Sequence, residues 1–164
     1  MKKLAIVLAL AIVAGIAAWF VWRPAPSAPQ VTYQLLDGKT LATEDLKGKV
    51  VLVKFWATSC VTCVKQMPDT IKAYQAYQPK GYETIAVAMQ YDPVNYVEAF
   101  ARSRELPFPV ALDRSGEIAR AFGDVRLTPT AFLIGKDGRI LKRYLGDYDR
   151  DEFHATVEKA LAAG

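Results

Sequence analysis

The sequence predicts an α/β sandwich with a mixed central sheet, preceded by one transmembrane helix. Three observations predict it. A run of nineteen residues near the amino terminus carries no charge; Val50–Trp56 is an almost continuous apolar run of strand formers; and strand-like and helix-like segments alternate from there on, ending in a hairpin and a helix. With 164 residues and 52% hydrophobic content, the chain supports one domain with a substantial core rather than two.

Leu4–Trp22 is the uncharged run, about 28 Å long as a helix and so long enough for a bilayer core. Lys2 and Lys3 precede it and Arg23 follows, a bias that favours an inside amino terminus with the rest exported. The alternative is a cleaved signal peptide, but bulky Trp19, Phe20 and Trp22 occupy the end where a small-residue cleavage site belongs. The expected organisation is a cytoplasmic amino terminus at 1–3, a single-pass inner-membrane anchor at 4–22, a proline-rich extended linker at 23–30 and a folded domain at 31–164. The formal charge of +4 comes largely from the first part: without Lys2, Lys3 and Arg23, 18 basic side chains face 17 acidic ones. A nearly neutral domain has no electrostatic case for nucleic acid.

Val31–Leu35 and Thr40–Ala42 flank Asp37-Gly38 and read as a hairpin, with Thr43 placed to cap a short turn. After the strand Val50–Trp56 comes a helix from about Cys60 to Tyr77, with Pro68 expected to kink it and Pro79-Lys80-Gly81 to end it. Thr84–Gln90 reads as a strand, Val94–Leu106 as a helix, Pro109–Leu112 as a strand and Glu117–Phe122 as a short helix. Ala131–Ile134 and Arg139–Leu145 form a hairpin around Gly135–Gly138, and Asp149–Ala162 closes the domain as a helix with Asp149 and Glu152 at capping-box spacing.

Cys60 and Cys63 are the two cysteines, and they stand where the apolar strand meets the helix. A two-residue spacing closes too short a loop to act as a structural staple. At a helix amino terminus, free backbone N–H groups and the helix dipole favour the thiolate of Cys60, making it the attacking nucleophile. Cys63, three positions on, lies on the same helix face and suits a resolving thiol. A zinc site would need two further ligands, and His154 is the sole histidine, so no metal and no cofactor are expected. Tyr74, Tyr77, Tyr82 and Tyr91 read as packing rather than as a binding stripe.

The strand, the Cys-x-x-Cys, the helix, the distant Leu127-Thr128-Pro129-Thr130 and the final hairpin together resemble the thioredoxin superfamily. The likeness covers about 31–162 and is narrowest with membrane-anchored TlpA-like and ResA-like thiol-disulfide oxidoreductases. It implies a thioredoxin-like three-layer sandwich with an amino-terminal β-hairpin and an inserted strand and helix at about 84–106. It also implies a cis Thr128-Pro129 bond beside Cys60, where Thr128, Pro129 and Trp56 meet an extended substrate. Ser59 and Thr62 depart from the family's frequent Trp and Pro, and Gln66 stands where many relatives carry Glu. Lys54 occupies a position where relatives bury Asp, Glu or Asn. A buried lysine there would stabilise a thiolate or accept the proton of Cys63; the competing reading has it reach the surface or pair with an acid such as Glu83.

The resemblance further implies a protein disulfide reductase on the outer side of the inner membrane, in periplasm or cell exterior. Its substrates would be exported proteins such as apocytochrome c or copper-site proteins, and its electrons would come from a membrane donor of the DsbD/CcdA type. Two other functions fit less well. A peroxiredoxin would place Pro and Thr where Val53 and Ala57 stand, and a copper-binding assembly chaperone would use a wider cysteine spacing and a His near Pro129.

Overall fold

The computed structural model describes residues 25–163, together with Ile12 and Gly15. The expected cytoplasmic terminus and, apart from those two positions, the anchor at 4–22 lie outside the described residues, as do Arg23 and Pro24 of the linker. Among the described residues no helix is long and apolar enough to cross a membrane.

Within residues 25–163 seven strands and four α-helices follow in order: β1 (Thr32–Gln34), β2 (Thr40–Ala42), β3 (Val50–Trp56), α1 (Val61–Tyr77), β4 (Tyr82–Ala88), α2 (Val94–Ser103), β5 (Val110–Leu112), α3 (Glu117–Ala121), β6 (Thr130–Ile134), β7 (Ile140–Leu145) and α4 (Arg150–Ala162). The first two make a separate hairpin, and the rest form one sheet in the order β5-β4-β3-β6-β7. β4 runs parallel to β3 and β5, whereas β6 is antiparallel to β3 and β7, so the sheet is mixed as expected.

β3 is the centre, and all seven of its residues are buried. Its alternation divides the core. Val51, Val53 and Phe55 point to one face with Ile85, Val87, Phe132 and Ile134, covered by Ile118 and Phe122 and by Tyr33 of the hairpin. Val50, Leu52 and Trp56 point to the other, against α1, α2 and α4 through Met67, Ala73, Val97, Phe153 and Val157. Period-2 geometry puts Lys54 on this second, helix-covered face.

Element ends differ by a few residues from the sequence reading. β4 starts at Tyr82 rather than Thr84 and stops at Ala88, because its parallel register matches Val50↔Tyr82 through Trp56↔Ala88. α2 stops at Ser103 instead of Leu106, with Glu105 in the left-handed region at φ 47°. α1 runs from Val61 to Tyr77 with the exposed Pro68 inside it, the extent the sequence predicts to within a residue. Thr43 does not cap the turn that follows it; its hydroxyl bonds Pro29 and Val31, while Asp45 accepts from Ala42 N–H.

The described part of the proline-rich stretch, from Ala25 on, is docked against the domain. Ser27 bridges Arg139, Ala28 N–H donates to the Gly138 carbonyl at 2.8 Å, and Ile140 N–H donates to the Pro26 carbonyl at 2.8 Å. Proline has lost its donor but keeps its acceptor and its extended geometry, which suits a sheet edge. On the opposite edge Leu36 N–H bonds the Val110 carbonyl, so the hairpin shields β5. A chain starting at Val31 loses both edge bonds and the buried Ala28; urea unfolding is predicted to show it about 2–3 kcal/mol less stable than a chain starting at Pro24.

Candidate redox site

The cysteines sit where β3 hands over to α1. The chain leaves the sheet at Trp56, turns through Ala57–Ser59 with Cys60 N–H bonded to the Ala57 carbonyl at 3.1 Å, and enters the helix with Cys60 as its N-cap. Cys60 Sγ accepts the Cys63 N–H at 3.2 Å, so the sulfur occupies the place a capping oxygen would take. Cys60 and Cys63 are joined as a disulfide with their Cα atoms 5.2 Å apart. Their exposure differs: Cys63 is completely buried, Cys60 is half-buried and Val61 between them is 82% exposed. An incoming protein therefore meets Cys60 first.

The Thr128-Pro129 peptide bond is cis. β6 pairs Thr130 with Phe55, so the preceding Pro129 and Thr128 continue past the end of β3 at the level of the Ala57–Cys60 turn. Gly146 N–H donates to the Pro129 carbonyl at 2.8 Å, tying this corner to β7. Among the described residues no backbone hydrogen bond uses the N–H or C=O of Thr128. That backbone is open to pair with an extended chain.

Trp56 departs from its expected place at the substrate surface. It is fully buried and packs on Phe100 at 5.1 Å between ring centroids, in the same cluster as Cys63 and Met67. As the last residue of β3 on the helix-covered face, it supports the cysteine turn from beneath.

Lys54 neither reaches the surface nor pairs with Glu83, which bonds Lys49 instead. Fully buried, its Nζ donates to Gln66 Oε1 at 2.8 Å. The other end of that amide donates to Asp147 Oδ1 at 2.9 Å and to the Gly146 carbonyl at 3.2 Å, so both ends of Gln66 are satisfied in one orientation. Arg150 bonds Asp69 at the outer end of the same network. A chain of polar groups thus runs from the core, past the helix turn that follows Cys63, to the surface. Burial pushes the Lys54 ammonium down to about 8, helped by the Arg150 charge and opposed by Asp147 and Asp69. Because Gln66 carries no charge, the buried lysine lacks an adjacent counter-ion.

Two contacts were missed by the sequence reading. Asp92, buried, accepts both the Thr58 N–H at 2.6 Å and the Thr58 hydroxyl at 2.5 Å. Next to it Tyr91 is 54% exposed with its hydroxyl 3.3 Å from Thr128 Oγ1, rather than packed in the core. The only hint in the sequence was an Asp before Pro93 at a helix start. The other three tyrosines pack as expected: Tyr77 and Tyr82 are buried in ring contact, and Tyr74 meets Phe108. Among the described residues no group of three or more His, Cys, Asp or Glu is placed to hold a metal ion.

Residues 24–161 match the Redoxin family. A thiol-disulfide oxidoreductase, ResA, of Bacillus thuringiensis subsp. konkukian (strain 97-27) is 36% identical over 132 residues, covering 80% of this chain and 75% of that protein. Among solved structures, a thioredoxin-family thiol:disulfide interchange protein of Chlorobium tepidum superposes with a TM-score of 0.78 at 26% identity, covering 85% of this chain and 99% of that one. An exposed lipoprotein thioredoxin of Streptococcus pneumoniae gives a TM-score of 0.69 at 27% identity, covering 79% and 98% respectively.

The burial of Lys54 has a signed consequence for stability. Its folded pKa of about 8 lies below the ordinary 10.5, so the native state is penalised wherever the unfolded lysine is charged and the native one must be too. The penalty is full below pH 8 and fades as pH rises from about 8 to 10.5. Lys54→Met is predicted to be more stable than the wild type at pH 7 by at most about 3 kcal/mol, less whatever the orphaned Gln66 oxygen costs. Paired urea titrations at pH 7 and pH 10 check that the gap shrinks.

Proposed function

We propose, because the chain belongs to the Redoxin family and is a ResA-like thiol-disulfide oxidoreductase of the thioredoxin superfamily, that it works outside the cytoplasm and reduces disulfides of exported proteins. The observation that carries the reading is the unequal presentation of the two sulfurs. Cys60 is accessible at the helix N-cap, and Cys63 is sealed behind it.

In the dithiol state the Cys60 thiolate attacks one sulfur of a substrate disulfide, held by strand-like pairing with Thr128 beside Pro129. One substrate thiolate leaves and takes a proton from water. A mixed disulfide between Cys60 and the substrate remains. Cys63 then loses its proton, its thiolate attacks Cys60 Sγ, and the second substrate thiolate departs. Two electrons have passed to the substrate, and the Cys60–Cys63 disulfide is left. Lys54, hydrogen-bonded to Gln66 one helical turn beyond Cys63, takes that proton as its neutral amine, and the ammonium so formed favours the Cys63 thiolate.

The exported location rests on the uncharged run at 4–22 and its flanking basic residues, and is in keeping with the pneumococcal neighbour being an exposed lipoprotein. Single-pass anchoring in the inner membrane, recharging by a membrane donor of the DsbD/CcdA type, and apocytochrome c or copper-site proteins as substrates belong to the same proposal.

Reduction of an exported disulfide protein by the dithiol form tests it. Cys60→Ser is predicted to abolish reduction, while Cys63→Ser retains the first attack and accumulates a substrate-linked mixed disulfide on non-reducing gels. Lys54→Met is predicted to slow resolution of the mixed disulfide by about tenfold, equivalent to about 1.4 kcal/mol of barrier. An unchanged resolution rate removes Lys54 from the mechanism.

A further inference from the structure

The loop between β4 and α2 grips both halves of the site. Met89 N–H bonds the Trp56 carbonyl at 3.0 Å, Asp92 takes two hydrogen bonds from Thr58, and Tyr91 meets Thr128. Asp92 is 7% exposed, and among the described residues no Lys or Arg forms an ion pair with it. A carboxylate with no cation in an ion pair is thus held against Thr58, the residue two before Cys60 in the turn that presents the sulfur. Other ionisable groups around the loop include Lys54 on β3, Lys65 on α1, Tyr91 on the loop itself, Arg120 on α3, bonded to the Ser115 carbonyl, and Asp124 and Arg126 before the cis proline. Arg126 is occupied by Asp124, and Lys54 is turned to Gln66 on the Cys63 side.

We propose that Asp92 is a positioning residue that fixes the Ala57–Cys60 turn and, through its charge, holds the Cys60/Cys63 couple at a more reducing potential. In the disulfide the Cys60 sulfur is neutral; in the dithiol it ionises. A nearby anion opposes that ionisation, so it disfavours the reduced protein relative to the oxidised one and makes the dithiol the stronger electron donor. The thiolate that does form is also the better nucleophile, since nucleophilicity falls as a thiol becomes more acidic. Lys54 acts in the opposite sense on the other cysteine. The two charges therefore divide the labour, Asp92 strengthening the attacking sulfur and Lys54 easing ionisation of the resolving one. This deepens the reductase reading and rests on it for its biological sense.

The test is the equilibrium constant of the detergent-solubilised full chain with glutathione for wild type, Asp92→Asn and Asp92→Glu. Asn keeps an acceptor for Thr58 and loses the charge. Its constant is expected to shift about tenfold toward the dithiol, equivalent to about 30 mV for a two-electron couple. Glu is expected to remain within about twofold of wild type. An Asn constant within twofold of wild type overturns the inference, as does an equal shift for Asn and Glu. Circular dichroism of the oxidised variants checks folding. A second measurement needs no variant: wild-type Cys60 should discriminate against anionic iodoacetate relative to neutral iodoacetamide more strongly than free glutathione does, and no added discrimination counts against the claim. If the wild-type pair fails to exchange with glutathione at all, the functional reading itself falls; exchange with an unaltered constant in Asp92→Asn defeats only this inference.

Discussion

The structure turns on one junction: a strand buried on both faces ends where a helix begins, and a sulfur caps that helix. β3 is fixed on both sides, by β4 in parallel and β6 antiparallel, so its end is rigidly placed. The first free N–H groups of α1 point at whatever follows the strand, and here that is Cys60. Everything else near the site adjusts this junction. Trp56 props the turn from inside, Thr128 and Pro129 bring open backbone beside it through the β3–β6 register, and the β4–α2 loop ties the parts together.

Burial separates two sulfurs that are chemically alike. The same helical spacing that puts Cys63 on the face of Cys60 also turns it inward against Met67 and Trp56. In the mechanism we propose, attack and resolution are divided by access before any difference in acidity acts. The Lys54–Gln66–Asp147 chain then reaches from the core to the surface beside the inner cysteine's helix. A charged lysine without an adjacent anion costs stability, and the role proposed for Lys54 in resolution gives that cost a use.

Most of the architecture was legible because it rests on local signals. The Val50–Trp56 run, the glycine-bearing turns and the Asp149 cap, whose carboxylate does accept the Glu152 N–H, each specify their element directly. The cysteines stood out by their spacing at a strand–helix junction, whereas Thr128 and Pro129 entered only through the resemblance to the thioredoxin superfamily. Contacts made by residues far apart in sequence were not. The Asp92–Thr58 bonds span 34 positions and the Gln66–Asp147 bond spans 81. Trp56 was misplaced because position in the sequence shows that it ends the strand, whereas the alternation of the strand against the helices decides which way its ring points. The proline-rich stretch was read by composition alone, which cannot register that a sheet edge lies within reach of its carbonyls.

The most direct measurement is competitive alkylation of the fully reduced domain with limiting iodoacetamide, sites being read by peptide mass spectrometry. Labelling should fall overwhelmingly on Cys60, with Cys63 reacting only as the domain unfolds in urea. Equal labelling of the two, or preferential labelling of Cys63 in the folded protein, would contradict the assignment of an outer attacking sulfur and an inner resolving one.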